Sequence, residues 1–99
     1  MITHVVSWTL LEKDVEKKAE VASFVSAQLM TLPALIPEIT SLSVSTNAVA
    51  IDGNWDLVLI GEYADEAALR TYIEHPEHQK VVAVIKPYFD KRSAVDVLV

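Results

Sequence analysis

No cysteine occurs anywhere in the 99 residues. Disulfides, thiolate metal centres and cysteine nucleophiles are thereby excluded. Glycine is nearly as scarce, with only Gly53 and Gly61. That pair cannot build a phosphate-cradling loop or a dinucleotide fingerprint, which need closely spaced glycines for backbone approach. No serine stands in a Gly-x-Ser-x-Gly frame either, so a hydrolase nucleophile elbow has no support. Long apolar runs are missing, and no stretch reads as a membrane span. Positive charge is thin: eight Lys and Arg against fourteen Asp and Glu leave a formal charge of −6. Such a chain repels a phosphate backbone, and its basic residues form no stripe, so nucleic acid is not expected as a partner.

Apolar surface, by contrast, is plentiful. Hydrophobic residues make up 52% of the chain. A single domain over 1–99 has a limited interior, so part of that surface is expected to meet a partner. Met1 to Val6 read as a strand rather than as a signal peptide, and a cytoplasmic location is the expectation.

Residues 2–10 alternate, with Ile2, His4, Val6, Trp8 and Leu10 on one side and Thr3, Val5, Ser7 and Thr9 on the other. Period two with β-branched residues predicts a strand. Over 13–32 the period changes: Val15, Ala19, Ala22, Val25, Leu29 and Leu32 recur at three and four, which predicts an amphipathic helix capped by Asp14. Pro33 and Pro37 bracket its exit. Residues 38–51 read as a second strand with Ser41, Ser43 and Ser45 on a polar face and a bend at Asn47. Asp52-Gly53-Asn54 signals a turn, and 55–63 a third strand antiparallel to the second. Asp65 caps a short helix with Ala68, Leu69, Tyr72 and Ile73 on its buried side. His75-Pro76 stops it, and Pro76 suits the first turn of the next helix. That helix turns Val81, Val82 and Ile85 inward. Residues 93–99 read as the last strand.

The order β-α-β-β-α-β is the ferredoxin-like pattern of the α+β class: a four-stranded antiparallel sheet with helices on one face. The other face is left bare, and it is partly apolar because both alternating sets of the third strand are. A bare apolar sheet face predicts an interface or a binding surface.

Met1-Ile2-Thr3-His4-Val5-Val6, Ile36-Pro37-Glu38-Ile39, Trp55-Asp56-Leu57-Val58-Leu59-Ile60 and above all Tyr72-Ile73-Glu74-His75-Pro76-Glu77-His78 resemble the stress-responsive α/β-barrel (Dabb) family, nearly end to end. The resemblance implies a homodimer in which two sheets pack face to face as a dimeric α/β barrel. It also implies a range of activities, including a plant polyketide cyclase that works by acid–base chemistry. The tyrosine and histidine of that cyclase's catalytic pair match Tyr72 and His78, and His4 matches a pocket-lining histidine. Leu57 stands where the cyclase carries a further pocket histidine, a departure that bears on substrate class.

The residue types agree with such chemistry. Histidine titrates near neutrality and can accept a proton, and a tyrosine hydroxyl can donate to a developing oxyanion. Each also has a plain structural reading: His78 at a helix start, Tyr72 on a buried stripe, His4 on an apolar strand face. Trp8 and Trp55 are expected as core or as aromatic walls of a pocket, with Leu57 beside them. Glu62 and Asp96 are expected to face solvent. His75 and His78 are three apart, but neither cysteine nor a further histidine lies near and only a carboxylate such as Glu74 or Glu77 could join them, so no metal and no cofactor are expected. The leading expectation is a homodimer that binds a small hydrophobic molecule in the barrel and acts on it as a cyclase or isomerase would. A non-catalytic carrier or structural homo-oligomer is the alternative, and a cofactorless monooxygenase ranks third.

Overall fold

The computed structural model describes residues 1–99. Strand β1 (Ile2–Leu10) is followed by helix α1 (Val15–Leu29), strands β2 (Ser41–Thr46) and β3 (Leu57–Tyr63), helices α2 (Glu66–Glu74) and α3 (Pro76–Ile85), a 3-10 turn over Lys86–Tyr88, and strand β4 (Phe89–Leu98). The sheet order is β2-β3-β1-β4 and every pairing is antiparallel. This is the expected ferredoxin-like α+β sheet. No helix is long and apolar enough to cross a membrane.

Alternation decides the faces. Val6, Trp8 and Leu10 of β1, with Leu57, Leu59 and Tyr63 of β3, are buried under the helices. Ala22, Val25 and Leu29 of α1, Leu69 and Tyr72 of α2, and Val81 and Ile85 of α3 complete the core. The opposite face carries Val5, Val58, Ile60, Val95 and Val97, of which Ile60, Val95 and Val97 are exposed. The bare apolar face expected from the pattern is present.

The caps follow the sequence. Asp14 accepts from the Lys17 N–H, and Asp65 from the Ala68 N–H. Each satisfies a helix-end donor that would otherwise lack a partner. Pro76 occupies the first turn of α3, and the His75 imidazole accepts from the Glu77 N–H. Gly53 has φ 91° at the turn expected over Asp52-Gly53-Asn54, a conformation that glycine adopts without steric cost.

Several boundaries differ from expectation. The first helix ends at Leu29 rather than 32, and Val15 is solvent-exposed instead of joining the buried stripe. Leu32 and Ile36 still reach the core, but from consecutive turns. Strand β2 stops at Thr46; the Asn47 N–H still donates to the Asp56 carbonyl, but its side chain turns into the loop, donating to the Val49 carbonyl and accepting from Asn54. Ala48, Val49, Ala50 and Ile51, which the expected strand includes, form an apolar run, yet they lie exposed in the loop. Trp55 and Asp56 precede β3 because Asp56 is committed elsewhere. Its carboxylate accepts from the Leu10 N–H at 2.7 Å and from Lys18 Nζ at 3.1 Å, and its own N–H donates to the Trp8 carbonyl. Strand β4 begins at Phe89, not 93, with a register shift opposite Thr9 and Leu10. That shift brings Phe89 onto Trp8, the two rings stacked 4.8 Å apart.

Candidate functional site

Between the helix-facing side of β1 and β4 and the α2–α3 layer lies a cavity of about 480 Å³. That is the size of an ordinary small-molecule pocket. Val6, Trp8, Leu29, Ile85 and Phe89 make its apolar walls, and His4, Tyr72 and His78 supply polar groups.

The break between α2 and α3 positions His78. His75 adopts an extended backbone (ψ 134°), so the helical ladder is interrupted there. The Glu77 N–H turns to the His75 ring, and the Ile73 carbonyl is left without its usual helical donor. His78 Nδ1 fills that place at 2.9 Å, joined by Gln79 Nε2 at 2.8 Å. A carbonyl only accepts, so Nδ1 carries the proton and Nε2 keeps its lone pair. Burial pushes the His78 pKa below its ordinary value. The Ile73 contact opposes that shift, while His4, Arg92 and His75 reinforce it. The ring is therefore a neutral base near pH 7.

Tyr72 lies one turn back along the same sequence motif. Its ring centroid is 4.4 Å from that of His78 and 6.4 Å from that of His4. Burial raises its pKa, against smaller opposing effects of Tyr63 and Arg92, so the hydroxyl stays protonated and able to donate. A neutral base and a neutral acid thus border one cavity.

His4 is buried, and its Nδ1 lies 2.5 Å from Asp96 Oδ1. The strands align this pair directly, since His4 and Asp96 are register partners of β1 and β4. A carboxylate acceptor at Nδ1 selects the tautomer and orients the ring, as carboxylates do behind metal-bound and catalytic histidines.

Tyr63 completes the aromatic cluster, 5.0 Å from Tyr72 and 6.3 Å from His4 between ring centroids. Its hydroxyl is buried without a hydrogen-bond partner. Burial first, and the neighbouring Tyr72 next, drive its pKa far up. The ring leans back over Gly61: a β-carbon there would stand 2.8 Å from the Tyr63 hydroxyl and 3.2 Å from Leu42 Cδ1. The glycine is what lets the tyrosine lie beside His4.

Four of the six residues singled out from sequence, His4, Trp8, Tyr72 and His78, line this cavity. Trp55 and Leu57 do not. They border a separate shallow depression with Ser7, Asn47 and Asn54, and Leu57 is also core. The cavity lies between the sheet and the helices of one protomer, whereas the sequence leads one to expect the ligand in the barrel. Asp96, expected to face solvent, is half-exposed but bound to His4. Glu62 does lie on the outward face, where it accepts from the Ser41 hydroxyl. Tyr63 was not singled out, although it falls on the inward set of the third strand. His75 and His78 each turn Nδ1 to a backbone partner, and no group of three metal-ligating side chains converges.

A family model described as Stress responsive A/B Barrel Domain matches residues 2–99. Among curated proteins, none matches the chain. Solved structures similar to it include a dimeric protein of unknown function with a ferredoxin-like fold from Bacteroides fragilis (26% identity, TM-score 0.85, 97% of this chain and 93% of that one). A dimeric ferredoxin-like protein of unknown function from Thermobifida fusca is also similar (26% identity, TM-score 0.82, 99% and 90%). The hydroxynitrile lyase of Passiflora edulis shares the fold at 12% identity, with a TM-score of 0.81 over 99% of this chain and 92% of that one.

Proposed function

The chain belongs to the Stress responsive A/B Barrel Domain family, and we propose that its cavity binds a small, largely apolar molecule and moves a proton on it. His78 is the base and Tyr72 the hydroxyl donor. The observation that carries this reading is the contact of His78 Nδ1 with the Ile73 carbonyl, which leaves Nε2 unprotonated beside Tyr72.

In the simplest step, a carbon adjacent to a carbonyl loses a proton to His78 Nε2. The electron pair moves onto the carbonyl oxygen, which accepts a hydrogen bond from the Tyr72 hydroxyl. Return of the proton at the same or another atom completes an isomerisation, and attack by the carbanion on a second carbonyl of the same molecule completes a cyclisation. Positioned acid–base groups of this kind contribute roughly 10²–10⁴-fold in rate. A hydroxynitrile lyase among proteins of this fold is consistent with proton-transfer chemistry on the scaffold.

The protein acts as a homodimer joined through the outer sheet face around Val5, Ile60 and Val95. The two relatives at 26% identity are dimeric, and a two-fold contact buries the same patch on both copies.

The test is deuterium uptake at the α-carbon of a benzyl ketone such as phenylacetone, followed by NMR in heavy water. The wild type accelerates uptake over buffer, and His78→Ala returns it to the buffer rate. A wild type no faster than buffer contradicts the acid–base reading.

A further inference from the structure

The cavity has a charged mouth that the acid–base reading does not use. Lys86, Lys91 and Arg92 all line it, three of the eight basic residues in a chain of formal charge −6. Clustering the scarce sign at this cavity is contrary to the chain's overall balance. None of the three has an ion-pair partner. The ion pairs of the molecule are His4–Asp96, Lys18–Asp56, Arg70–Glu66 and Lys80–Glu77. Asp90 is the one carboxylate on the lining, and Asp96 behind it is engaged by His4. The cations at the mouth therefore outnumber the free carboxylate.

Arg92 is the best placed. It is the register partner of Trp8, so it stands on the helix-facing side of the edge strand, above the aromatic wall formed by Trp8 and Phe89. Its charge is felt by both reacting groups, disfavouring protonation of His78 and favouring ionisation of Tyr72. A guanidinium free of protein partners offers a planar fork suited to a carboxylate, and a charge-assisted pair of that kind gains strength beside an apolar wall.

We propose that the ligand is an amphipathic carboxylate: its anionic head is held by Arg92, with Lys86 adding attraction, and its apolar body lies against Trp8, Leu29 and Phe89. This deepens the acid–base reading by naming the substrate class, and it rests on that reading only for the location of the pocket. A bound carboxylate also explains why unpaired cations are tolerated beside His78, whose protonation Arg92 disfavours.

Calorimetric titration with octanoate and with 1-octanol, two probes matched in length and differing in charge, tests it on the intact protein. At low salt octanoate is expected to bind roughly tenfold more tightly than octanol, a difference that shrinks as salt screens the head group. Arg92→Gln removes most of the preference while octanol binding is unchanged. Lys86→Gln lowers the preference by a smaller factor and serves should Arg92→Gln not fold. Lys17→Gln, at an exposed unpaired lysine on α1, leaves it intact. Equal binding of the two probes overturns the carboxylate assignment and leaves the pocket standing. An equal loss in Lys17→Gln overturns it as well, because the effect is then one of net charge. Binding of neither probe to folded protein overturns both the assignment and the pocket.

Discussion

His4 and Asp96 meet at 2.5 Å across neighbouring strands, a buried imidazole held by a carboxylate that is itself half in solvent. The contact ties the edge strand β4 to the central strand β1 at the floor of the cavity. Asp96→Ala leaves the buried Nδ1–H without an acceptor and is expected to cost about 1–2 kcal/mol of stability, measured by urea unfolding. Asp96→Asn keeps an acceptor and costs less. Imidazole nitrogen NMR shows whether His4 then loses its single tautomer, as it should if the carboxylate selects it.

The Tyr63 hydroxyl is buried without a partner, so it weakens the fold rather than supporting it. Tyr63→Phe is expected to raise stability by about 1 kcal/mol, since removing an unsatisfied buried group returns part of its desolvation penalty. Gly61→Ala does the opposite. The added methyl meets both the hydroxyl and the ring edge of Tyr63, the latter at 2.9 Å, and overpacking of this kind costs about 1–3 kcal/mol. Combining Gly61→Ala with Tyr63→Phe recovers only part of that loss, because the ring edge remains. Additive effects in the double variant would show that the two positions do not touch.

Asp56 sets the acid side of the stability profile. Burial pushes its carboxyl up, but the Leu10 N–H, Lys18 and Lys13 outweigh that and hold it below the ordinary value. A carboxyl with a depressed pKa in the folded state contributes stability that is complete above the unfolded value, near pH ~3.9, and is lost as pH falls through the folded one. Asp56→Asn therefore lowers stability at pH 7 and flattens the fall of stability at acidic pH. Unfolding curves at several pH values read both effects.

In the proposed proton transfer, His78 sets the acid limb. Its pKa lies below the ordinary histidine value, so the base form persists under mildly acidic conditions and activity declines only below pH ~6.5. The same depression makes its contribution to stability complete above that pH and smaller as pH falls through the folded value. Replacing Pro76 by Ala lets α2 and α3 run together, returns the Ile73 carbonyl to a helical donor and frees the His78 ring. Loss of the Ile73 contact, the one influence that raises the His78 pKa, should then move the limb further down. An unmoved limb in Pro76→Ala would detach the tautomer from the helix break.

Much of this arrangement was legible in the sequence because it is local. Period two over 2–10, the caps at Asp14 and Asp65, and the His75-Pro76 stop each express a preference within a few residues. Local rules also place Tyr72 and His78 together, six residues apart across one break. What escaped is non-local. Asp96 meets His4 because of the β1–β4 register, whose shift opposite Thr9 and Leu10 has no signature in either segment. Tyr63 joins the cluster because Gly61 makes room for it, a packing fact between residues on one strand that alternation cannot show. The exposed apolar run 48–51 was misleading for the converse reason: a strand-like stretch without a neighbouring strand to pair with remains a loop.

The central claim is that the ligand site lies between sheet and helices at His78 and Tyr72, with the outer sheet face left to the second copy. A two-dimensional amide NMR titration with phenylacetone tests it most directly. Shifts at Tyr72, His78, Val82 and Phe89, absent in a variant with Trp substituted for Val82 to fill the cavity, are the predicted result. Shifts confined to Val5, Ile60 and Val95 would put the ligand on the outer face and contradict the account.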